Sequence, residues 1–176
     1  SVQVTISVAC FVPKPHTPFQ FVPQDTEEQL KEKQQHLLHS VHSKKIHVNY
    51  HDSSISFLEA VFAKGDRRLG RVLETAYRKG CFFDGWDECF HYDRWMEAFA
   101  ECGMDTAFYA NRFIGLDEVT PWSHMDYGVS HDFLVREYQK AMAAQTTPPC
   151  NRKCSACGAN KFVGGACFDY SKDLVH

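Results

Sequence analysis

The 176-residue sequence has no apolar run that approaches the length of a membrane span, and it has no internal repeat or low-complexity segment. Its net charge is −3, so it lacks the excess of cations with which proteins attract nucleic acid. No nucleophile-elbow or metal-hydrolase motif is present, which disfavours a stand-alone hydrolase. The remaining composition, 44% hydrophobic and 23% charged, is that of an ordinary globular chain with a buried core. We expect no membrane partner and no nucleic-acid partner.

Eight cysteines are many for this length, and half of them cluster near the end. Secreted disulfide proteins usually spread their cysteines, whereas a late cluster in a chain that does not open like a secretory signal is more typical of metal binding. We therefore expect a cytoplasmic protein. The chain begins directly in a strand pattern without an initiator Met, so we expect it to be a piece of a longer polypeptide.

The first 52 residues predict the order strand, helix, strand. Val2 to Val8 alternates with a period of two, Thr26 opens a capping box before a helix to about Val41, and Ile46 to Tyr50 alternates again. This order favours a parallel pair of strands. Ser56 predicts the start of a further helix, and mostly helical patterns follow it to about residue 145.

Two short stretches carry candidate site residues. His16 and Thr17 lie in a loop with three prolines in six residues, which is either a surface connector or a shaped loop that holds a ligand. His47, Asn49 and His51 share one face of the second strand. That face is either a solvated edge or, in a barrel, a ligand site near the carboxyl end of the strand.

The cysteine cluster has the spacing Cys-x-x-x-Cys-x-x-Cys, formed by Cys150, Cys154 and Cys157, and Cys167 follows. Four thiolates suit zinc or an iron–sulfur cluster equally, and three would leave one iron open. The alternative is a reduced cluster without metal. The spacing matches the cluster motif of radical S-adenosylmethionine (SAM) enzymes, but only 19 residues follow Cys157, and Ala156 stands where that motif usually has an aromatic residue.

Longer stretches resemble radical SAM proteins that carry an N-terminal cobalamin-binding-type domain. The resemblance runs from about residue 2 to residue 158 and is clearest in these segments: Val8 to Gln20, Val48 to Asp52, Phe57 to Val61, Gly65 to Leu69, Gly80 to Trp86, Arg94 to Met96 and Tyr109 to Arg112.

The resemblance implies an α/β fold: a partial TIM-type barrel of two late βα units (1–52), a mostly helical extension (53–145) and a cysteine-rich metal-binding tail (146–176). It also implies that the SAM-cluster cysteines lie upstream, in a missing N-terminal part of the same polypeptide. A radical-SAM-linked domain is a further expected partner. His16, Thr17, Asn49 and His51 would line the SAM or substrate pocket, and catalytic residues cannot be assigned.

The function expected from the resemblance is radical chemistry on an unknown substrate. SAM, and in some versions cobalamin, would serve the complete enzyme, and this chain alone would be inactive. The late cysteines would be a second site for zinc or an auxiliary iron–sulfur cluster. The competing hypothesis is a zinc-binding module that contacts a protein or RNA and has no catalysis of its own.

Overall fold

The computed structural model describes residues 2–162. In that range the chain forms two strands and six α-helices, which we number in chain order. They are β1 (Val4–Val8), α1 (Glu27–Ser40), β2 (Ile46–Tyr50), α2 (Ser53–Ala63), α3 (Leu69–Arg78), α4 (Tyr92–Glu101), α5 (Thr106–Ala110) and α6 (His131–Met142).

The expected partial TIM-type barrel is wrong, and so is the α/β class. β1 pairs with β2 in parallel, from Val4 opposite Ile46 to Val8 opposite Tyr50, as the strand, helix, strand order predicted. Within residues 2–162, however, these two strands form the whole of the sheet, and helices follow β2. A barrel wall needs further strands beside such a pair. The described chain is therefore mostly helical.

Of the two predicted helix caps, the one before α1 is confirmed and the one before α2 is wrong. Thr26 accepts the Gln29 backbone N–H while the Gln29 side chain accepts that of Thr26, so the capping box before α1 is confirmed. The helix expected from Ser56 begins instead at Ser53, because the Asp52 carboxylate accepts the N–H groups of Ser54 and Ile55. The N-cap is thus an aspartate four residues before Ser56.

Contacts divide the chain into two compact units. Among the described residues, unit 1 contains residues 2–14 and 22–114, and unit 2 contains residues 15–21 and 115–162. The chain therefore leaves unit 1 after β1, contributes seven residues to unit 2 and returns before α1. The expected division of the chain into residues 1–52, 53–145 and 146–176 stays a prediction.

Unit 1 has a core built from one face each of α2, α3 and α4. Its fully or nearly fully buried members include Phe57, Val61, Val72, Trp95 and Phe99. Burial of these side chains is the main stabilising term for short helices, which are marginal in isolation. Lys64, at the end of α2, is also buried, and its ammonium donates to the carbonyl oxygens of Val22 (2.9 Å) and Arg112 (2.8 Å).

Unit 2 is organised around a short 3-10 turn, Pro18–Phe21, and helix α6. The Phe21 side chain is fully buried, and its ring centroid lies 5.6 Å from that of Tyr138 and 5.9 Å from that of His131. Ser130 caps α6 by accepting the Phe133 N–H. These contacts fix residues 15–21 against the helix.

Candidate functional site

The candidate site is a polar pocket in unit 2 with a volume of about 500 Å³. Its lining includes His16, Gln20, Trp122, Asp126, Ser130 and Lys161. Pockets for small molecules are usually concave and combine apolar walls with a few placed polar groups. This pocket is richer in polar groups than that, so it favours a polar ligand.

Gln20 holds the His16 loop in place. Its side-chain oxygen accepts the His16 backbone N–H and the Trp122 indole N–H, each at 2.9 Å. Gln20 and Trp122 are both buried, 2% and 5% exposed. The Gln20 backbone N–H also donates to the Thr17 carbonyl at 3.0 Å. The loop is therefore fixed by three hydrogen bonds, of which the one between Gln20 and Trp122 is buried.

His16 has an unusual backbone and an unsatisfied ring. Its φ is +58°, in the left-handed region that costs a non-glycine residue energy and is often kept at functional sites. Its Nε2 atom is buried and has no hydrogen-bond partner among the described residues. The ring centroid lies 4.3 Å from that of Tyr127. A buried polar atom without a partner is where a missing ligand group or water is expected.

Burial also sets the charge of this imidazole. Desolvation lowers the pKa of His16 below its ordinary value, because the charged ring loses its water. The ring is thus neutral near pH 7, with one nitrogen that donates and one that accepts. It can hydrogen-bond to a ligand or take a proton from it.

The pocket rim carries an ion pair between Asp126 and Lys161. The lysine, together with the Gly128 N–H, lowers the pKa of Asp126, so this carboxylate stays charged. Asp117 and Glu118 lie on the same lining, and both are exposed. The side chains around the pocket therefore include three carboxylates and one lysine.

The cysteine loop is joined to the wall of this pocket. The Cys157 carbonyl accepts the backbone N–H of Ser130, the N-cap of α6, at 2.8 Å. Gly158 has a φ of +98°, and a Cβ at this position would lie 2.7 Å from the Gly128 carbonyl oxygen. Ala156 is also left-handed, with a φ of +54°. The loop after Cys154 thus turns tightly and packs its backbone against residues 128–130.

Three of the four predicted metal ligands lie among the described residues. Cys150 and Cys154 are exposed and Cys157 is half-buried, while Cys167 lies outside the described residues. Among residues 2–162, no three His, Cys, Asp or Glu side chains are gathered as a metal site. Metal binding by these cysteines stays a prediction.

The other predicted pocket residues divide between the two units. His16 and Thr17 are neighbours in unit 2, whereas Asn49 and His51 lie at the carboxyl end of β2 in unit 1. Asn49 is exposed opposite Ser7. His51 lines a different pocket, of about 640 Å³, together with Asp52 and Glu59. A single pocket lined by all four residues stays a prediction.

Sequence reasoning missed the roles of Gln20 and Ser130. Gln20 meets Trp122 across 102 sequence positions, and no local pattern indicates such a contact. Ser130 could be predicted as a helix cap, but its bond to the cysteine loop could not.

Comparisons with protein-family models, with curated proteins and with solved structures gave no match. Within the described part of the chain, no helix is both long and apolar enough to cross a membrane.

Proposed function

We propose that this chain is part of a cytoplasmic radical SAM iron–sulfur enzyme, in which it provides a pocket for a small polar molecule and a second metal site. The long sequence segments described above support the reaction class. The observation that carries the role of the chain is the bond between Ser130 and Cys157, because it joins the cysteine loop to the wall of the His16 pocket.

In this proposal Cys150, Cys154, Cys157 and Cys167 hold the metal. Thiolates are suitable ligands for zinc and for iron–sulfur clusters, so the donor chemistry fits. The three described cysteines are not gathered as one site, so metal binding would have to bring them together. Such ordering by metal is common where a site is incomplete without it.

His16 is proposed to contact the bound molecule. A neutral imidazole held by a fixed loop donates or accepts one hydrogen bond without the cost of ordering a flexible side chain. Thr17 follows it in the same loop. Asn49 and His51 are proposed to contribute from the end of β2 in the complete enzyme. In this proposal the SAM cluster, and cobalamin where it is used, would be bound by residues outside this chain, so the isolated chain should not turn over substrate.

The metal assignment is tested by anaerobic reconstitution with iron and sulfide or with zinc, followed by metal analysis and an absorption spectrum near 400 nm. A [4Fe–4S] cluster would give about four iron and four sulfide per chain. Cys157→Ser should abolish binding, whereas Cys89→Ser, which changes a cysteine outside the cluster, should bind as the wild type does. Equal metal content in both variants, or none in the wild type, would contradict the assignment.

The pocket assignment is tested by titrating SAM into the chain and following amide shifts by NMR. We expect shifts in residues 15–21 and 126–131 of the wild type and at least a several-fold weaker response in His16→Gln. His36→Gln changes an exposed histidine of α1 and serves as the control. Shifts that His16→Gln leaves unchanged would remove His16 from the proposed site.

The second candidate is a zinc-binding interaction module, and the exposure of Cys154 favours it, since a zinc loop on the surface is available to a partner. One zinc per chain, no absorption near 400 nm and no response to SAM would replace the enzyme proposal with this one. Zinc with a SAM response would keep the enzyme proposal and make the tail structural.

A further inference from the structure

A separate feature of unit 1 is the aromatic loop, residues 81–90, with the end of α3 beside it. Four large aromatic side chains there are mostly exposed: Tyr77 (67%), Phe82 (52%), Phe83 (71%) and Trp86 (65%). The Phe82 ring centroid lies 6.2 Å from that of Tyr77 and 5.6 Å from that of Phe83. Adjacent exposed aromatic rings typically mark a contact surface.

The backbone of the aromatic loop is strained at Phe83. Phe83 has a φ of +63°, which is a rare conformation for a bulky residue. It is followed by a turn in which the Trp86 N–H donates to the Phe83 carbonyl at 3.0 Å. The Phe83 ring is mostly exposed, so core packing does not explain the strain. Strained residues that the core does not hold in place are often kept at sites that bind a ligand.

Asp84 lies within this turn and has one unused oxygen. Its Oδ2 accepts the indole N–H of Trp95 at 3.2 Å. Its Oδ1 is buried and has no donor among the described residues. Arg78, the arginine nearest in sequence, pairs with Glu74, and Arg94 approaches the Gly80 carbonyl at 3.5 Å. A carboxylate oxygen shielded from water without a donor is costly, and the group that would relieve it is a cationic donor.

The charges around Asp84 also favour a cationic partner. Residues 81–93 contain four carboxylates and no lysine or arginine. Nucleic acid and anionic membranes would be repelled by this charge. A basic protein segment would be attracted, because its cations meet Asp87 and Glu88, which are both exposed.

We propose that the aromatic loop is a docking site for an arginine-bearing basic segment of another protein. On docking, the half-buried Asp84 side chain turns outward so that its carboxylate accepts from the guanidinium, and the flat face of the guanidinium lies on the exposed rings. Arginine suits both contacts better than lysine, because its planar fork pairs with a carboxylate and stacks on aromatic rings. This inference does not depend on the proposed function.

The test uses two fluorescein-labelled peptides of equal charge, Gly-Ser-Arg-Gly-Arg-Ser-Arg-Gly and its lysine counterpart, measured by fluorescence anisotropy at 0.15 M salt. We expect the arginine peptide to bind about tenfold tighter, because paired and stacked contacts survive screening while simple attraction does not. Asp84→Asn should weaken its binding about tenfold. Glu32→Gln, which removes one exposed carboxylate from α1, should leave it unchanged.

Phe83→Ala and Trp86→Ala keep the proposal testable if Asp84→Asn does not fold, because both side chains are mostly exposed and their loss should not unfold the chain. Each should weaken the arginine peptide several-fold. Equal binding of the two peptides, no binding of either, or binding that these variants leave unchanged would overturn the proposal. Self-association that Phe83→Ala abolishes would also overturn it and assign the surface to a second copy of the chain.

Discussion

Gln20→Leu should destabilise unit 2 by about 2–4 kcal/mol, since it leaves one buried and one half-buried N–H donor without an acceptor. A buried donor without an acceptor costs about 1–3 kcal/mol, and a half-buried one costs less because water reaches it. The donors are the His16 backbone and the Trp122 indole, each 2.9 Å from the same oxygen. Leucine fills a similar volume, so loss of packing is a minor part of the change.

The assay is urea unfolding followed through the indole N–H signal of Trp122 in a two-dimensional NMR spectrum, which reports on unit 2 alone. The signal is assigned with Trp122→Phe. Gln139→Leu, the same replacement at an exposed position of α6, is the matched control and should change stability by less than about 0.5 kcal/mol.

A double-mutant cycle of Gln20→Leu with Trp122→Phe isolates the bond between them. Because the two side chains share a hydrogen bond, the cycle should give a coupling of about 0.5–3 kcal/mol. A loss below about 0.5 kcal/mol for Gln20→Leu, or additive effects in the cycle, would refute the view that this amide fixes the His16 loop.

Three further predictions concern single positions. The stability of unit 2 should fall as the pH drops from 6.5 toward the lowered pKa of His16 and then level off, because His16 takes up a proton more readily in the unfolded chain than in the folded one. The urea midpoint should therefore change less with pH in His16→Gln than in the wild type. An equal pH dependence in the two proteins would refute this. Gly158→Ala should release the cysteine loop, because its Cβ would meet the Gly128 carbonyl in a left-handed backbone; hydrogen exchange of the Ser130 amide should rise, and unchanged protection would count against the described packing. Lys64→Met should cost about 2 kcal/mol or more by thermal unfolding, since it leaves two carbonyl groups of unit 1 without their donor, and a neutral result would show that water replaces the ammonium.

Local signals in the sequence were sufficient for several elements. The capping box at Thr26 predicted the start of α1, because both of its hydrogen bonds form within four residues. The order strand, helix, strand predicted the parallel pairing of β1 with β2. The position of α2 did not, since Asp52 and Ser56 are both acceptable caps and local pattern alone could not choose between them.

The barrel failed for a different reason. A strand, helix, strand order is compatible with any parallel sheet, and it carries no information on how many strands lie beside the pair. The family resemblance supplied that number, and the described chain does not contain those strands.

The candidate site shows the same limit. His16 could be selected from its proline-rich loop, but the groups that hold and surround it come from distant positions such as Trp122 and Lys161. The unpaired atoms of His16 and Asp84 could not be seen in the sequence at all, because an unmet hydrogen bond is a property of the folded surroundings.

The interleaved path of the chain orders its folding during synthesis. Residues 15–21 leave the ribosome early, yet the rest of unit 2 follows only after roughly 90 further residues, so a long loop must close before Phe21 meets α6. Unit 1 can be complete by then, since domains generally fold in the order in which they are made. A ribosome paused once Ile114 has left its exit tunnel would therefore display a finished unit 1 with the aromatic side chain of Phe21 still uncovered, which is the kind of apolar segment that chaperones bind.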